Sequence, residues 1–345
     1  MVRIKDVAKE LGVSPTTVSN VIHGKKKRVS PEMVKKIEAV LERENYVPNM
    51  AGVLLAQSSS KIIAVVFCNK IKYGDKMLQD PFISEMMAGL GESIREKGYF
   101  TMLHNTSDVN EVIRMSAMWN VAGLLLFGFR KEDYDILREK LKVPFVTCDG
   151  YFDTDINGFV NVGTDDFGGG YRMTKYLLEM GHKNIIYVAD DHIGCEMARL
   201  KGVKAALGEV GIDFDIDSMP ILSSDEKERQ QQMEDMAKAI ADGTNDYSAI
   251  FFAADKYAVQ AMSIFQDEGL SIPDQISIVG FDDVNYASVV RPYLTTVRQD
   301  ILLKAVVMVN TIMNMINGHE LPANDMRLPV EVMIRKSVRD INKDK

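Results

Sequence analysis

Cysteine is nearly absent from this chain. Its 345 residues contain three, Cys68, Cys148 and Cys195, far apart and odd in number. Such thiols exclude a disulfide-stapled scaffold and are expected to be the reduced cysteines of a cytosolic protein. No run approaches the ~18 apolar residues that a spanning helix needs, so no membrane partner is expected. The first residues, Met1-Val-Arg-Ile-Lys-Asp-Val-Ala-Lys-Glu10, carry charges where a secretory leader needs its apolar stretch. Also missing are a Gly-x-Gly-x-x-Gly loop, a Walker loop, a His-Glu-x-x-His helix and a Gly-x-Ser-x-Gly elbow. The five histidines, His23, His104, His182, His192 and His319, do not fall at metal-ligand spacing. Cys148 has no adjacent His partner. Gly168-Gly-Gly170 is a weak lookalike for a phosphate loop; it lies at an expected helix start, where packing is its role. Trp119 and the many methionines are most simply core. No enzymatic activity, metal or cofactor is expected.

What is present is an ordinary globular composition, 46% hydrophobic and 26% charged. At about 150 residues per domain the length suggests two domains, or three if one is small. The net charge of −8 hides an asymmetry. Residues 1–60 hold ten Lys+Arg against six Asp+Glu, a balance of +4, and the remainder stands at −12. A basic head on an acidic body suggests that the head meets a polyanion.

The head carries the strongest local signal. Ile4, Val7, Ala8 and Leu11 recur at helical spacing until Gly12 interrupts them. Ser14 is an N-cap and Pro15 occupies the first helical position. A second helix follows, with Val18, Val21 and Ile22 on one face. Two short helices joined by a glycine turn form a helix-turn-helix, whose second helix enters the major groove of DNA. Its candidate base-reading residues are Pro15, Thr16, Thr17, Ser19 and Asn20; Thr methyls suit thymine methyls, and an Asn amide suits adenine. Arg3, Ser14 and the run Lys25-Lys26-Lys27-Arg28 are candidates for phosphate contacts. Gly24 caps the second helix, and Ser30-Pro31 opens a third running to about Glu44. Beyond it, Tyr46 to Ala56 carries an Asn49 cap and an apolar turn or two, then the soft linker Gln57-Ser-Ser-Ser60. It is too short to be a stable isolated helix and oddly apolar for a linker.

The stretches Ile4 to Gly24, Val29-Ser30 and Asn45-Tyr-Val-Pro-Asn49 resemble the head of the LacI/GalR family of bacterial transcriptional repressors. The resemblance implies a hinge helix that forms on DNA, with Leu55 as the leucine wedged into the minor groove; Asn49 and Gly52 belong to the same segment. Such wedges unstack a base step and bend the duplex. The chain departs from the family's common pattern at Arg3 (usually Ser or Thr), Asn20 (usually Arg) and Gly52-Val53 (usually Ala-Arg).

From residue 61 the pattern changes. Apolar runs are expected to be strands at Ile62–Phe67, Phe100–Leu103, Gly123–Phe127, Phe145–Asp149, Ile185–Ala189, Ala249–Ala253 and Ile276–Phe281. Helical segments separate them. This alternation implies doubly wound parallel sheets, in two similar lobes because the strands are too many for one small sheet. Ligands in such folds sit at the carboxyl ends of strands, so a cleft between lobes is the expected site.

Asp80-Pro-Phe82, Leu177-Leu-Glu-Met-Gly-His182, Arg199-Leu-Lys-Gly202, Ile276 to Asp283 and Leu294-Thr-Thr-Val-Arg-Gln299 resemble the same family's effector-binding core, itself similar to periplasmic sugar-binding proteins. The resemblance places effector contacts on Phe82, Asp149, Arg199, Asp255 and Asp282. For Asp255 a helix N-cap is the competing role. Ala254 and Gly150 depart from the family at the pocket, so effector identity is not inherited.

The expected fold is a small all-α head plus an α/β core of two doubly wound parallel-sheet lobes of periplasmic-binding-protein type. The expected divisions are a head at 1–46 and a hinge and linker at 47–60. The first lobe takes 61–162 plus 293–320, and the second 163–292 plus 321–338, with crossings near 162, 292 and 321. No tetramer-forming helix is expected after Val338, where the residues given are few and charged. The expected function is a DNA-binding regulator, a repressor in the first instance, working in the cytoplasm at the nucleoid. Its partners are double-stranded operator DNA, a second copy of itself and a small-molecule effector, a sugar or polyol. The alternative is a plain solute-binding protein, which the basic head argues against.

Overall fold

The computed structural model describes residues 2–22, 24–46, 60–68, 74–151 and 159–344. The expected hinge contacts Asn49, Gly52 and Leu55 lie outside the described residues. The chain divides into two units, Met1–Ser60 and Lys61–Lys345.

The first unit contains helices α1 (Ile4–Leu11), α2 (Pro15–Ile22) and α3 (Pro31–Arg43). Gly12 ends α1 at φ 65°, a left-handed conformation that glycine adopts without a Cβ penalty, and this turns the chain into α2. Ser14 then accepts the Thr17 N–H at 3.1 Å, as an N-cap does. Val7 and Ala8 of α1, Val18 and Val21 of α2, and Val34, Ile37 and Val40 of α3 close one small core. Burying Val18 and Val21 turns the polar positions of α2 outward.

The second unit holds two α/β lobes. In the first, strands run β10–β5–β4–β3–β1–β2, all parallel: β1 (Ile62–Cys68), β2 (Phe100–Thr106), β3 (Gly123–Phe127), β4 (Phe145–Cys148), β5 (Asn161–Thr164) and β10 (Asp325–Leu328). Strands β1 and β3 are continuous apolar runs because both faces are covered. Helices α4 (Pro81–Glu96), α5 (Val109–Met118) and α6 (Lys131–Lys140) follow strands of this sheet, and α11 (Ile301–Ile316) packs beside α4. In the second lobe the order is β11–β9–β8–β7–β6, with β6 (Ile185–Val188), β7 (Ala249–Phe252), β8 (Ser277–Asp282) and β9 (Thr295–Gln299) parallel and β11 (Val330–Met333) antiparallel to β9. Helices α7 (Asp166–Glu179), α8 (Gly194–Gly208), α9 (Glu226–Ala241) and α10 (Asp255–Asp267) complete it.

Helices α7 and α8 cross at very short range because glycines stand at the contact. A Cβ on Gly170 would fall 2.1 Å from the Arg199 carbonyl oxygen, and one on Gly202 would fall 2.2 Å from that of Phe167. The Gly168-Gly-Gly170 run is therefore a packing device.

The sheets correct the expected lobe boundaries. The chain passes between lobes after Thr164, after Gln299 and after Leu328, each time with a single residue before the next element. Residues 295–299 thus belong to the second lobe and 325–328 to the first, against expected crossings near 162, 292 and 321. The displaced pieces are β9, β10 and the end of β5, strands of four or five residues with polar side chains among them. They carry no continuous apolar run and so no strand signal.

Candidate functional site

The parallel strands of each lobe end at a cavity of 460 Å3 between the lobes. Four of the five expected effector contacts, Phe82, Asp149, Arg199 and Asp282, line it. The first lobe contributes an aromatic wall of Phe82, Phe127, Phe129 and Tyr151. The second contributes a more polar wall that includes Asp191, Glu196, Arg199, Asp282 and Gln299.

Phe82 is placed by a cap. Asp80 accepts the N–H groups of Phe82 and Ile83 at the start of α4, and Pro81 fixes the first helical position. The Asp80 carboxylate also reaches across to Lys256 of the second lobe at 3.3 Å.

Asp149 directly follows β4 at φ 51°, and Asp282 ends β8 at φ 120°. Non-glycine residues at positive φ are uncommon and cluster where structure serves a site. Both oxygens of Asp149 accept from Lys304 of α11, at 2.9 and 3.0 Å. Asp282 accepts from Gln299 Nε2 at 2.6 Å.

Arg199 has almost no exposed surface. Its Nε donates to Asp166 at 2.8 Å, its Nη1 to the Ala253 carbonyl at 2.6 Å, and its guanidinium lies 3.6 Å from the Phe281 ring centroid. Burial opposes its charge, but Asp166, Cys195 and Asp282 outweigh it and hold the pKa well above the ordinary arginine value.

Asp255 is a correction. It is the first residue of α10, fully buried, and it does not line the cavity. Its oxygens accept from Thr296 Oγ1 at 2.5 Å and the Val284 N–H at 3.1 Å. The family resemblance suggested a cleft residue, but the side chain points into the join of α10 with β8 and β9. Nor is it the N-cap, which is Ala254. Burial first, then the Asp282 charge, pushes its pKa well above the usual carboxylate range.

Sequence reasoning missed Lys304, Tyr151 and Asp166. Tyr151 donates to Asp166, which Arg199 also holds. Lys304 had a signal: it stands among Ile301, Ala305, Met308, Val309 and Ile312 on the buried face of α11, where a lysine is out of place. All three cysteines, Cys68, Cys148 and Cys195, line the same cavity. Burial and Asp149 push the Cys148 thiol well up, so it stays protonated at neutral pH. Asp190, Asp191 and Glu196 bring carboxylate oxygens within 4.8 Å of one another, but these groups already serve the protein: Tyr257 donates to Asp190, the Ile193 N–H to Asp191 and Cys195 to Glu196.

In the head, Ser14, Pro15 and Thr16 are exposed, and Thr17, Ser19 and Asn20 are half-buried. Lys25, Lys26, Lys27 and Arg28 are all exposed, and Lys26 pairs with Glu38 at 2.7 Å. Arg3 carries an ion pair with Asp6 at 3.3 Å, while Asp6 accepts the Arg3 N–H at 2.9 Å. Arg3 makes no side-chain cap bond, and the Asp6 carboxylate supplies only the contact that reaches back from the first turn to the cap residue's own N–H.

Among the described residues no helix is long and apolar enough to cross a membrane. Residues 3–49 match the family model for bacterial regulatory proteins of the lacI family, and residues 174–338 match a periplasmic binding protein-like domain. The HTH-type transcriptional repressor PurR of Photobacterium profundum is 29% identical over 351 aligned residues, covering 99% of this chain and 100% of the relative. The HTH-type transcriptional regulator GalR of Escherichia coli is 30% identical over 312 residues, covering 88% of this chain and 86% of that protein. Among solved structures, the Lac repressor dimer bound to operator and the anti-inducer ONPF superposes with a TM-score of 0.82 at 24% identity, over 98% of this chain and 99% of that one. The complex of the regulator CelR with cellobiose gives 0.70 at 24%, over 98% and 100%. At that identity the two structures show the fold. The relatives show more: the chain belongs to the LacI family of bacterial regulatory proteins and is a transcriptional regulator, not an enzyme.

Proposed function

We propose that the chain represses transcription as a homodimer on a near-palindromic operator, under the control of a sugar or polyol bound between the lobes. Two heads on such a site need two-fold symmetry. In this reading Pro15, Thr16, Thr17, Ser19 and Asn20 read the major groove, and Arg3, Ser14 and Lys25 to Arg28 hold phosphates. Asn49, Gly52 and Leu55 form the minor-groove hinge. The heads act in the cytoplasm, at the nucleoid.

The observation that carries the effector half is the placement of Asp149 and Asp282 on opposite lobes of one cavity with an aromatic wall. Carboxylates accept hydroxyl protons, and aromatic faces stack on the apolar faces of sugar rings. Both deeply buried cations nearby are committed to protein carboxylates, Lys304 to Asp149 and Arg199 to Asp166. Arg130 and Lys131 also line the cavity, so a neutral and a phosphorylated sugar are told apart by the screen below. A ligand touching both lobes favours one lobe angle, and the preference reaches operator affinity as a coupling free energy that is equal in both directions.

The test is selection from random duplexes with the full chain at two salt concentrations. Enrichment of a near-palindrome whose affinity falls steeply with salt is the expected result. The selected duplex then serves in a screen of neutral and phosphorylated sugars for a change in operator affinity. No enrichment under any condition, with sugar binding retained, would leave the chain a solute binder.

A further inference from the structure

We propose that Lys304 is the positioning residue of the effector cavity: one buried ammonium sets the Asp149 carboxylate in the first lobe and, through Gln299, the Asp282 carboxylate in the second. The inference rests on the reading of this cavity as the effector site.

Lys304 is 1% exposed and is not among the residues that line the cavity. An ammonium has three N–H donors and no acceptor. Its three partners here are Asp149 Oδ1 at 2.9 Å, Asp149 Oδ2 at 3.0 Å and Gln299 Oε1 at 2.7 Å. Its donors are therefore spoken for, and the group acts on a ligand only through what it holds. All its polar partners line the cavity, as does Phe82, whose ring centroid lies 5.4 Å from Nζ.

Gln299 makes this more than local neutralisation. It is the last residue of β9, at the second passage between lobes. The same Oε1 that accepts from Lys304 accepts from Thr164 Oγ1 at 3.0 Å. Thr164 is the last residue of β5, at the first passage. The Gln299 amide then donates to Asp282 at 2.6 Å. One chain of contacts thus runs from Asp149 through Lys304 and Gln299 to Asp282, with Thr164 as a branch. It ties two of the three inter-lobe passages to the two carboxylates that face each other across the cavity. A change in lobe angle at these passages must shift this chain, and a ligand that draws on Asp149 or Asp282 pulls on the same chain.

The experiment uses the full-length protein and needs neither operator nor effector, so it can fail while the functional reading stands. N-ethylmaleimide is the probe, and its rate of addition to Cys195 is read by peptide mass. Cys195 is half-buried and lines the cavity from the second lobe, so its rate reports opening. Lys304→Met should raise the rate about tenfold or more, as expected when a hydrogen bond to a charged group is lost. Gln299→Leu leaves the Lys304–Asp149 pair intact but cuts the link to the second lobe, and should raise the rate as much. Lys304→Arg, which keeps charge and donors, should restore a rate near that of the unsubstituted chain. If Gln299→Leu reacts at the unsubstituted rate, while Lys304→Met reacts faster only in step with its fall in Tm, Lys304 merely neutralises Asp149 and the proposal is overturned. If Lys304→Met does not fold, Gln299→Leu decides alone.

Discussion

Gly170 of α7 lies against the backbone of Arg199 on α8, so close that a Cβ at Gly170 would meet the Arg199 carbonyl oxygen at 2.1 Å. The obstacle is backbone in a helix, with no flexible side-chain end to give way. Gly170→Ala must therefore push α8 outward and displace Arg199 with it. Overpacking a core typically costs about 1–3 kcal/mol, and this contact belongs at the upper end or beyond. Gly208 is the control, because it ends α8, the other helix of the pair, with nothing within 4 Å of its Cβ position. Gly208→Ala should raise stability by about 0.5–1 kcal/mol through helix propensity. Urea unfolding of both variants checks the pair; equal effects would mean the close approach is not what glycine provides.

Arg199 itself is held too firmly to be a simple ligand contact. Its removal would leave Asp166, which is 1% exposed, with the Tyr151 hydroxyl but without its ion-pair partner. Breaking a buried pair by deleting one partner costs about 3–5 kcal/mol, because an uncompensated charge stays behind. Arg199→Ala should show that loss in urea unfolding before any effect on effector response can be read. Arg199→Lys should recover little of it, since an ammonium cannot reproduce the fork that reaches both Asp166 and the Ala253 carbonyl.

Asp255 gives a pH signature. Its folded pKa is raised above 3.8, mainly by burial, so the folded state prefers it protonated. A raised folded pKa contributes stability that is present at low pH and lost as the pH rises through the folded value. Asn is neutral throughout. The stability of Asp255→Asn relative to the unsubstituted chain should therefore improve steadily as the pH rises above 3.8. Effector affinity should be unchanged, because the side chain lies outside the cavity lining. Thermal unfolding across pH checks the first statement. A lost effector response in Asp255→Asn with normal stability would return this residue to the site.

How much of this was legible beforehand depended on the length and purity of each signal. The helix-turn-helix was readable because Gly12, Ser14 and Pro15 punctuate it and Val18 and Val21 mark its buried face. Strands such as Ile62–Cys68 were readable because both faces are buried. The passages between lobes were not, since β5 and β10 are four residues each and contain Asn161, Thr164, Asp325 and Arg327. Phe82, Asp149, Arg199 and Asp282 came from family resemblance, and the same route misplaced Asp255, whose position in the chain says nothing of which way its carboxylate turns. Lys304 was visible as a charge on an apolar stripe, but its partner Asp149 lies 155 residues away, and only the fold brings them together.

The basic loop of the head offers a separation that salt can measure. Lys26 already pairs with Glu38 of α3 at 2.7 Å, whereas Lys27 has no ion pair among the described residues. Each phosphate contact contributes about 0.9 to the slope of log affinity against log salt. Lys27→Ala should therefore lower the slope by about that amount on specific and random duplexes alike. Lys26→Ala should lower it less, because moving Lys26 to a phosphate sacrifices the Glu38 contact. Asn20→Ala should leave the slope unchanged and instead lose about 1–3 kcal/mol of discrimination at a single base pair. Measuring the three variants against the selected operator and a random duplex separates the phosphate-holding loop from the base-reading helix. An Asn20→Ala protein that keeps full discrimination at every position would remove Asn20 from the reading face.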